Sequence, residues 1–465
     1  MNILSSVPPL GSIQPQSTQP RFALRVFLFF WLLYGCTINI DNLRAYTLQQ
    51  MGPDALVTHH TLTLGHSQLP QLQPGGDTFS YKGHTFAAKQ PGQFLWSGIA
   101  YQTIKPFGIS YEKNYDQAAA WVTWLSASFL AAAGLGMLYK LLSLWMFSTR
   151  SSLIAVLTIG ASSHWWVYAG IAHHDIMAAV LLLTSVYVFE VARLQHQPHV
   201  TLRLFTAGIL LGLVPFTSML PALMVLVALI YMFLNLTWRR ELLPFIAGLS
   251  VGLLPLSIYN QLYFGSALTQ ANVAGNYADT FFSPSIQQAL HHLNAYLGIG
   301  GISVWKFTPA LATGSFGWFF LGVSLKKQRF LILGMAATLL SYLINIETMG
   351  SCGFGPRYLL PLLPWCAVGV AALLDHLHDC RPGQTWSLIA GALMGYGWLV
   401  NMVGSMTRTM NCDLENFAFW QQASSMRELD RANFPLLSVC LSIAVVWTII
   451  EGLIWVRQRT NRRPP

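Results

Sequence analysis

Long apolar runs, separated by short polar segments, are the main pattern along this chain. A helix needs roughly 20 apolar residues to cross a bilayer core of about 30 Å, and the pattern predicts an all-α polytopic membrane protein with about twelve transmembrane helices. Polar residues 162–164 interrupt the third run, and Pro215 and Pro221 leave the division between the fifth and sixth runs open. The predicted spans are residues 22–40, 118–139, 153–172, 174–192, 203–217, 219–236, 242–263, 307–325, 329–345, 357–374, 385–406 and 434–455.

Charged residues are scarce in this chain. Only 9% of its 465 residues are Asp, Glu, Lys or Arg, whereas 54% are hydrophobic. A soluble domain has about 25% charged residues, and so few charges cannot cover the surface of a water-soluble protein of this length. The composition therefore excludes the soluble, disordered, fibrous and disulfide-scaffold classes.

The distribution of charge indicates the orientation in the membrane. With the N-terminus in the cytoplasm, most of the 26 Lys and Arg residues fall in inner loops, and most of the 17 Asp and Glu residues fall in outer loops. Both termini are then cytoplasmic. The net charge of +9 records this topology and does not indicate binding to nucleic acid.

The chain divides into a tail and one membrane domain. Residues 1–20 are rich in Ser, Pro and Gln and lack a cleavable signal pattern, so we expect a disordered cytoplasmic tail. Residues 21–465 are expected to form a single transmembrane domain. Its inner loops are short, and its substantial outer loops are about residues 41–117, 264–306 and 407–432. Any chemistry is therefore expected on the outer face.

Two of the 6 cysteines, Cys352 and Cys412, fall in adjacent outer loops. An oxidising compartment would allow them to form a disulfide. Two unpaired thiols are the alternative, and the sequence does not decide between the two.

An acidic residue, Asp41, follows the first apolar run, and Arg44 comes about one helical turn later. A carboxylate at the membrane boundary, beside a long loop, can act as a base or as an ion ligand. It can also be a solvated helix cap that forms an i,i+3 ion pair with Arg44. Position alone favours the cap and leaves the role of base open.

The first outer loop also contains His84 and Lys89, within the segment Tyr-Lys-Gly-His-Thr-Phe-Ala-Ala-Lys-Gln-Pro-Gly at residues 81–92. An aromatic, amphipathic stretch follows at residues 93–107. It is short for a span, so we expect it to lie in the membrane interface. Lys89 at its start would combine a point charge with exposed N–H groups and a positive helix end, which suits a phosphate. A snorkelling lysine is the alternative.

Two further groups lie at the outer ends of predicted spans. His173-His174-Asp175 can supply a base, a metal ligand or an acceptor-binding group. Adjacent helical side chains diverge by about 100°, so the two histidines can share a metal ion only on irregular backbone. Arg357 and Tyr358 open the tenth span, where a guanidinium can bind phosphate or carboxylate, or anchor a lipid headgroup.

Together these blocks resemble the polytopic glycosyltransferases of the GT-C fold, in the branch related to protein O-mannosyltransferases and lipid A aminoarabinose transferases. That family has an acid after the first span, a Gly-His-Tyr-Tyr-like stretch leading to Lys-x-Pro, and a second acid opening a later span. The pattern also includes an Asn followed by Phe-Gly and by Gly-Tyr. It ends with Gly-Pro-Arg-Tyr-x-x-Pro at the start of a late span. The corresponding residues, scattered over residues 22–365, are Asp41, Gly83-His84-Thr85-Phe86, Lys89-Gln90-Pro91-Gly92, Asp175, Asn260, Phe264-Gly265, Asn276-Tyr277, Gly355-Pro356-Arg357-Tyr358 and Pro361.

The resemblance implies transfer of a sugar from a polyprenyl-phosphate donor on the non-cytoplasmic face of a bacterial plasma (inner) membrane. The acceptor would be a lipid, a polysaccharide or a protein. Asp41 is then the base, Asp175 a second acid or an acceptor-orienting group, and Lys89 and Arg357 the ligands of the donor phosphate. No cofactor is assigned, and a divalent metal ion is left open. Contacts to substrate or acceptor are expected from Arg44, His84, His174, Asn260 and Tyr358.

A secondary transporter or flippase of lipid-linked sugars is the main alternative, since twelve spans with both termini inside describe many transporters. Transporters place ionisable residues near the midplane and often have repeated halves. Here the spans are almost free of charge, no half-to-half repeat is visible, and ionisable residues gather at the outer boundary. These features favour an enzyme. A non-catalytic assembly subunit with the same fold is a third alternative.

Overall fold

The structure is a computed structural model that describes residues 19–67, 77–194, 199–237, 240–275, 285–298, 302–322, 325–346, 353–378, 383–407, 423 and 433–460. Within these ranges it is almost entirely helical, with one two-stranded sheet. The predicted tail lies almost wholly outside the described residues. The Cys352 and Cys412 pair and the Asn276-Tyr277 motif also lie outside them.

The elements are numbered here in chain order. In the first half of the chain they are α1 (Gln19–Cys36), α2 (Ile40–Ala45), α3 (Leu48–His59), β1 (Thr78–Tyr81), β2 (His84–Ala87), α4 (Gly92–Ile104), α5 (Tyr115–Thr123), α6 (Phe129–Leu144), α7 (Thr149–Ala161), α8 (Trp165–Ala169), α9 (His174–Leu194) and α10 (Val200–Thr217). In the second half they are α11 (Ala222–Phe233), α12 (Leu242–Phe264), α13 (Ala271–Ala274), α14 (Ile286–Leu297), α15 (Val304–Phe307), α16 (Pro309–Gly317), α17 (Lys326–Leu343), α18 (Leu363–His378), α19 (Gly383–Met406) and α20 (Phe434–Thr460). A π-helical turn, Trp124–Ser128, joins α5 to α6, and 3-10 turns occupy Leu64–His66, Lys105–Phe107, Trp318–Phe320 and Arg357–Leu362.

A helix lies in each predicted span, and in the described chain 7 helices are long and apolar enough to cross a membrane. The third predicted span is broken into α7 and α8 at the polar residues 162–164, and α11 is also short. The chain is an integral, multi-pass membrane protein, and the total of twelve spans stays a prediction. The 7 helices are Tyr115–Leu144, His174–Leu194, Val200–Thr217, Leu242–Phe264, Arg357–Leu377, Leu388–Met406 and Phe434–Ile454.

α10 and α12 pack backbone to backbone through glycines. Gly208 and Gly212 on α10 face Gly248 and Gly252 on α12, and a Cβ atom at Gly248 would lie 2.0 Å from the carbonyl oxygen of Phe205. Small residues four positions apart make a flat stripe along each helix, which lets two membrane helices approach closely. This contact fixes α10, whose C-terminal end leads into one wall of the candidate site.

Glu190, on α9 within a predicted span, is fully buried. Its carboxylate accepts hydrogen bonds from Trp145 Nε1 (3.1 Å), Arg193 Nη2 (2.8 Å) and Tyr231 OH (2.6 Å). Glu190 lies near the C-terminal end of α9, so it is compatible with the expectation that the spans are almost free of charge. A buried carboxylate needs such partners, and this cluster joins α9 and α11 to the end of α6.

β1 and β2 form an antiparallel hairpin closed by the two-residue turn Lys82-Gly83. Both turn residues have positive φ, 48° and 79°, as a type I′ hairpin turn requires. The pairing extends one residue beyond the strands, because the N–H of Ala88 donates a 2.8 Å hydrogen bond to the carbonyl oxygen of Asp77. This register places Asp77 beside Lys89.

The aromatic stretch at residues 93–107 forms α4 and the 3-10 turn that follows it. The sequence predicts an amphipathic helix with one apolar face toward the membrane. In the structure most of α4 packs against α3 and α5 instead. Phe94 and Tyr101 are buried, and Ile99 is 61% exposed. Apolar residues lie on several sides of α4, so they do not form a single membrane-facing stripe. Its location in the membrane interface stays a prediction.

Candidate active site

A cavity of about 370 Å³ lies at the N-terminal end of α9 and the C-terminal end of α10, within the size range of small-molecule sites. Its walls come from the segment before α4, the first turn of α9, the α10–α11 connection, α13, the end of α17 and the 3-10 turn Arg357–Leu362. The residues predicted from the sequence that share this cavity are Lys89, His174, Asp175, Arg357 and Tyr358. The other lining residues are Ala88, Gln90, Ser218, Met219, Leu220, Ala222, Leu223, Gln270, Val273, Tyr342 and Ile346.

Arg357 is the buried cation of the cavity. It is 7% exposed, its Nη1 donates a 3.0 Å hydrogen bond to Tyr46 OH, and its guanidinium carbon lies 5.1 Å from the centre of the Tyr358 ring. Its Nε has no hydrogen-bond partner within the described ranges. Among the described residues, no carboxylate oxygen lies within 4.0 Å of this guanidinium. A buried charge without a counter-charge is costly, so the site suits an anion.

Tyr46 is the neutral partner of that guanidinium. Burial raises the pKa of the Tyr46 phenol, and the charge of Arg357 lowers it only in part. The phenol therefore stays protonated at neutral pH, and its oxygen accepts the hydrogen bond from Arg357 without neutralising the positive charge.

Two glycines explain how the chain delivers Arg357 to this position. Gly355 has a φ of 63°, and a Cβ atom there would lie 2.9 Å from Cβ of Phe307. A Cβ atom at Gly353 would lie 2.7 Å from the hydroxyl oxygen of Tyr168. Only glycine combines this conformation with such close packing, so the Gly-Phe-Gly sequence fixes the approach to the cavity.

Lys89 is the second cation of the cavity. Its Nζ lies 3.3 Å from Oδ2 of Asp77, with side-chain exposures of 19% for Lys89 and 58% for Asp77. Partial burial raises the pKa of Asp77, and the charges of Lys89, Arg357 and His174 lower it, with a net pKa below the usual value. Asp77 is therefore ionised at neutral pH and lies in the electric field of the cavity.

Asp175 lies in the first turn of α9 and is 1% exposed. Its Oδ1 accepts a 2.6 Å hydrogen bond from Ser218 Oγ and lies 3.4 Å from His174 Nε2. Its Oδ2 lies 3.6 Å from Nδ1 of His173. The carboxylate is thus held in one orientation at the cavity wall, where it can accept a proton or orient a hydroxyl group.

The two histidines do not diverge as adjacent helical residues would. His173 precedes α9, its backbone is not helical, and its ring stacks on that of His174 with 4.3 Å between centres. The ligand atoms of His173, His174 and Asp175 lie within 4.8 Å of one another. The irregular backbone that the sequence argument required is therefore present at His173, and these three residues could hold a divalent cation. The sequence analysis assigned no cofactor and left a divalent metal ion open, and that expectation stays a prediction.

Asp41 does not line the cavity. Its Oδ1 lies 4.0 Å from Nη1 of Arg44, which is the i,i+3 pair considered from the sequence. Arg44 is 56% exposed and forms a shorter, two-point pair with Asp116, at 2.6 and 2.9 Å. The roles of Asp41 as base and of Arg44 as a substrate contact stay predictions.

His84 and Asn260 also lie outside the cavity lining. His84 is exposed on β2. Asn260 is buried on α12, and its Nδ2 donates a 3.1 Å hydrogen bond to the carbonyl oxygen of Ala267, which stabilises the turn after that helix. Their roles as substrate contacts stay predictions.

Two polar residues close to Lys89, Asp77 and Gln90, are not among the site residues predicted from the sequence. Gln90 lines the cavity, is 3% exposed, and has no hydrogen-bond partner for either side-chain amide atom in the part of the chain that the structure describes. Asp77 pairs with Lys89. The Lys82-Gly83 turn between alternating residues could have predicted the hairpin register, and hence Asp77, whereas no sequence pattern marks Gln90.

Comparison with family models and with curated protein sequences finds no match. Comparison with solved structures does. ArnT from Cupriavidus metallidurans, bound to undecaprenyl phosphate, is 14% identical with a TM-score of 0.55, over 94% of this chain and 73% of ArnT. The Archaeoglobus fulgidus oligosaccharyltransferase, in complex with zinc and sulfate, is 15% identical with a TM-score of 0.53, over 82% of this chain and 53% of that chain. The archaeal oligosaccharyltransferase AglB from the same organism, with an inhibitory peptide and a dolichol-phosphate, is 12% identical with a TM-score of 0.50, over 84% and 56%.

These similarities establish the fold class. At such identities they support a common fold and leave function to be argued from the site. The chain has the GT-C fold, as the sequence resemblance predicted. It spans about half the length of the archaeal oligosaccharyltransferase chains that it matches.

Proposed function

We propose that this protein is an integral membrane glycosyltransferase that transfers a sugar from a polyprenyl-phosphate donor to an acceptor on the non-cytoplasmic face. The observation that carries the proposal is the juxtaposition of Lys89 and Arg357 with the buried carboxylate of Asp175 in one cavity. Two cations suit a lipid phosphate, and a carboxylate beside them suits proton transfer from the acceptor.

The two cations differ in what they offer a phosphate. Arg357 has an open Nε donor and a charge that no carboxylate neutralises within 4.0 Å among the described residues. It can therefore form short, charge-assisted hydrogen bonds with fixed geometry. Lys89 offers a flexible point charge. Together they would stabilise the negative charge on the lipid phosphate as it leaves the sugar.

In the proposed reaction an acceptor oxygen attacks the anomeric carbon while the bond from that carbon to the phosphate oxygen breaks. The acceptor proton passes to a carboxylate, and attack opposite the leaving phosphate inverts the anomeric configuration. Asp175 is the carboxylate within the cavity, held by Ser218. Asp41, which the resemblance implies as the base, lies outside the lining, so the two acids are alternatives for this role.

The donor class is supported by the ligands of the structural neighbours. The ArnT structure contains undecaprenyl phosphate and the AglB structure contains a dolichol-phosphate. The excess of Lys and Arg in inner loops supports cytoplasmic termini, and we place the protein in a bacterial plasma membrane. The proposed acceptor is a hydroxyl or similar group of a lipid, polysaccharide or protein.

Sugar transfer by purified protein in liposomes tests this proposal. Radiolabelled undecaprenyl-phosphate hexoses and pentoses would be supplied with a bacterial membrane extract as the acceptor source. We expect label in the acceptor fraction, and a loss of roughly 10²- to 10⁴-fold in the variant that lacks the base, Asp175→Asn or Asp41→Asn. Wild-type rates in both variants would contradict the proposed chemistry. Absence of transfer, together with movement of labelled lipid across the bilayer, would indicate a flippase.

A further inference from the structure

The ammonium group of Lys89 already has an anionic partner in the structure. Its Nζ lies 3.3 Å from the carboxylate of Asp77, whereas Arg357 has no carboxylate within that range among the described residues. A phosphate that binds Lys89 must therefore compete with Asp77. We propose that Asp77 is an internal counter-ion that occupies the phosphate-binding position at Lys89 and is displaced when the lipid phosphate arrives. This inference rests on the proposed function and concerns regulation of the same site.

The hairpin fixes the backbone of Asp77 at this position. The N–H of Ala88 donates to its carbonyl oxygen at 2.8 Å, in register with the β1–β2 ladder. The residue after Ala88 is Lys89, so the base of the hairpin holds the backbones of Asp77 and Lys89 close together whether or not a phosphate is bound. Displacement of the carboxylate therefore requires no backbone movement.

The side chain of Asp77 is free to turn away. It is 58% exposed, and its contact with Lys89 is its one ion pair in the described chain. Exposed ion pairs contribute little to stability because water and salt screen them. Asp175 provides the contrast, since it is buried and held by a 2.6 Å hydrogen bond from Ser218.

The electrostatics of the cavity disfavour the Asp77 carboxylate and a phosphate beside Lys89 at the same time. The positive charges of Lys89 and Arg357 both act on Asp77, and the same two charges would act on a bound phosphate. Two anions beside Lys89 would repel each other. Asp77 therefore lowers the affinity of the site for lipid phosphate, which also favours release of the lipid phosphate that remains after sugar transfer.

The test is the affinity of the full-length protein in nanodiscs for undecaprenyl phosphate. We expect Asp77→Asn to bind roughly 2- to 5-fold more tightly than the wild type, the range for removal of one exposed ionic competitor. The gain should shrink at high salt. Asp116→Asn is the matched control. It removes an equal charge from the same face, from an ion pair with Arg44 at 2.6 Å, and should leave the affinity unchanged.

Each result separates this inference from the proposed function. Unchanged or weaker binding by Asp77→Asn would overturn the inference alone, and weaker binding would make Asp77 a residue that orients Lys89. Equal tightening in Asp116→Asn would also overturn it, because the effect would then be one of total charge. A wild type that does not bind undecaprenyl phosphate would overturn the proposed function itself. Asp77→Ser, with thermal unfolding of each variant, checks that the asparagine makes no new contact and that the fold persists.

Discussion

The side chain of Arg357 illustrates how a binding site can be built at the expense of the fold. Its guanidinium is 7% exposed, it donates a hydrogen bond to the neutral Tyr46 phenol, and its Nε has no hydrogen-bond partner among the described residues. In the ligand-free protein such a buried charge destabilises the folded state. The same features make the charge available to a phosphate.

Replacement of this charge should therefore separate binding from stability. We expect Arg357→Met to weaken undecaprenyl phosphate binding by roughly 10- to 100-fold, because hydrogen bonds to charged groups contribute about 1.5–3 kcal/mol. The melting temperature should be maintained or rise, since the variant removes a buried, uncompensated charge. Binding assays and thermal unfolding on the same preparation measure both quantities. A lower melting temperature with unchanged affinity would make Arg357 a structural residue.

Ser218 should act through Asp175 rather than on the substrate. Its hydroxyl donates a 2.6 Å hydrogen bond to the carboxylate, so Ser218→Ala should leave a buried oxygen unsatisfied and reduce sugar transfer by about 10-fold. Ser218→Thr keeps the hydroxyl and should restore most of the activity. Undecaprenyl phosphate binding should be unchanged in both variants. Equal rates in Ser218→Ala and wild type would show that this hydrogen bond does not position the acid.

At the level of single residues, the sequence predicted residues that share the cavity where their position relative to a helix end determined where they lie. Lys89, Asp175 and Arg357 each lie at the outer end of a helix or close to one, and such ends meet at one membrane surface. The position of Asp77 beside Lys89 can be predicted only from the register of the β1–β2 hairpin. Gln90 is buried because of tertiary packing around the start of α4, and its sequence neighbours do not report that packing.

At the level of helices, the glycine contact between α10 and α12 gives a sharp prediction. Gly248→Ala would place a Cβ atom 2.0 Å from the carbonyl oxygen of Phe205, so the helices must separate. We expect a cost of about 1–3 kcal/mol, seen as a lower melting temperature.

Gly452→Ala is the control for this substitution. It lies on α20, and a Cβ atom there meets no atom of the described residues within 4 Å. It should leave the melting temperature unchanged or raise it slightly, because alanine favours a helix over glycine. An equal loss in both variants would show that the glycine contact does not determine the packing of α10 on α12.

The spans and α4 show what hydropathy can and cannot predict for a helix. Long apolar runs correspond to helices because a membrane segment must satisfy its own backbone hydrogen bonds. The stretch that became α4 has apolar residues on several sides, and they pack against α3 and α5. The sequence shows that those residues are apolar, but protein and membrane both favour apolar side chains, so it does not identify the partner.

At the level of the whole molecule, the charge distribution predicts the side of each loop. Lys113 and Lys326 are exposed and fall in an outer and an inner segment of the predicted topology. In a variant without native cysteines, a membrane-impermeant maleimide added to intact cells should label Lys113→Cys and leave Lys326→Cys unlabelled. Permeabilised cells should show labelling of both. The reverse pattern in intact cells would invert the topology and place the cavity on the cytoplasmic side.

The overall fold could be predicted from a few scattered motifs because their order along the chain matched that of the family that the sequence resembles. The cavity could be predicted only in part. Its two cations and one acid lie at motif positions. One wall is formed by the α10–α11 connection around Ser218, and in that segment the sequence shows only Pro215, Pro221 and the polar residues between them. The position of Asp41, paired with Arg44 outside the lining, depends on how α2 packs rather than on its place after α1.

The most direct test of the proposed site is the position of the phosphate in an experimental structure of this protein with undecaprenyl phosphate bound. We expect phosphate oxygens at about 3 Å from both Nζ of Lys89 and Nε of Arg357, with the Asp77 carboxylate turned away from Lys89. A phosphate that contacts neither cation, or one that lies at the opposite membrane surface, would contradict the assignment of this cavity as the donor site.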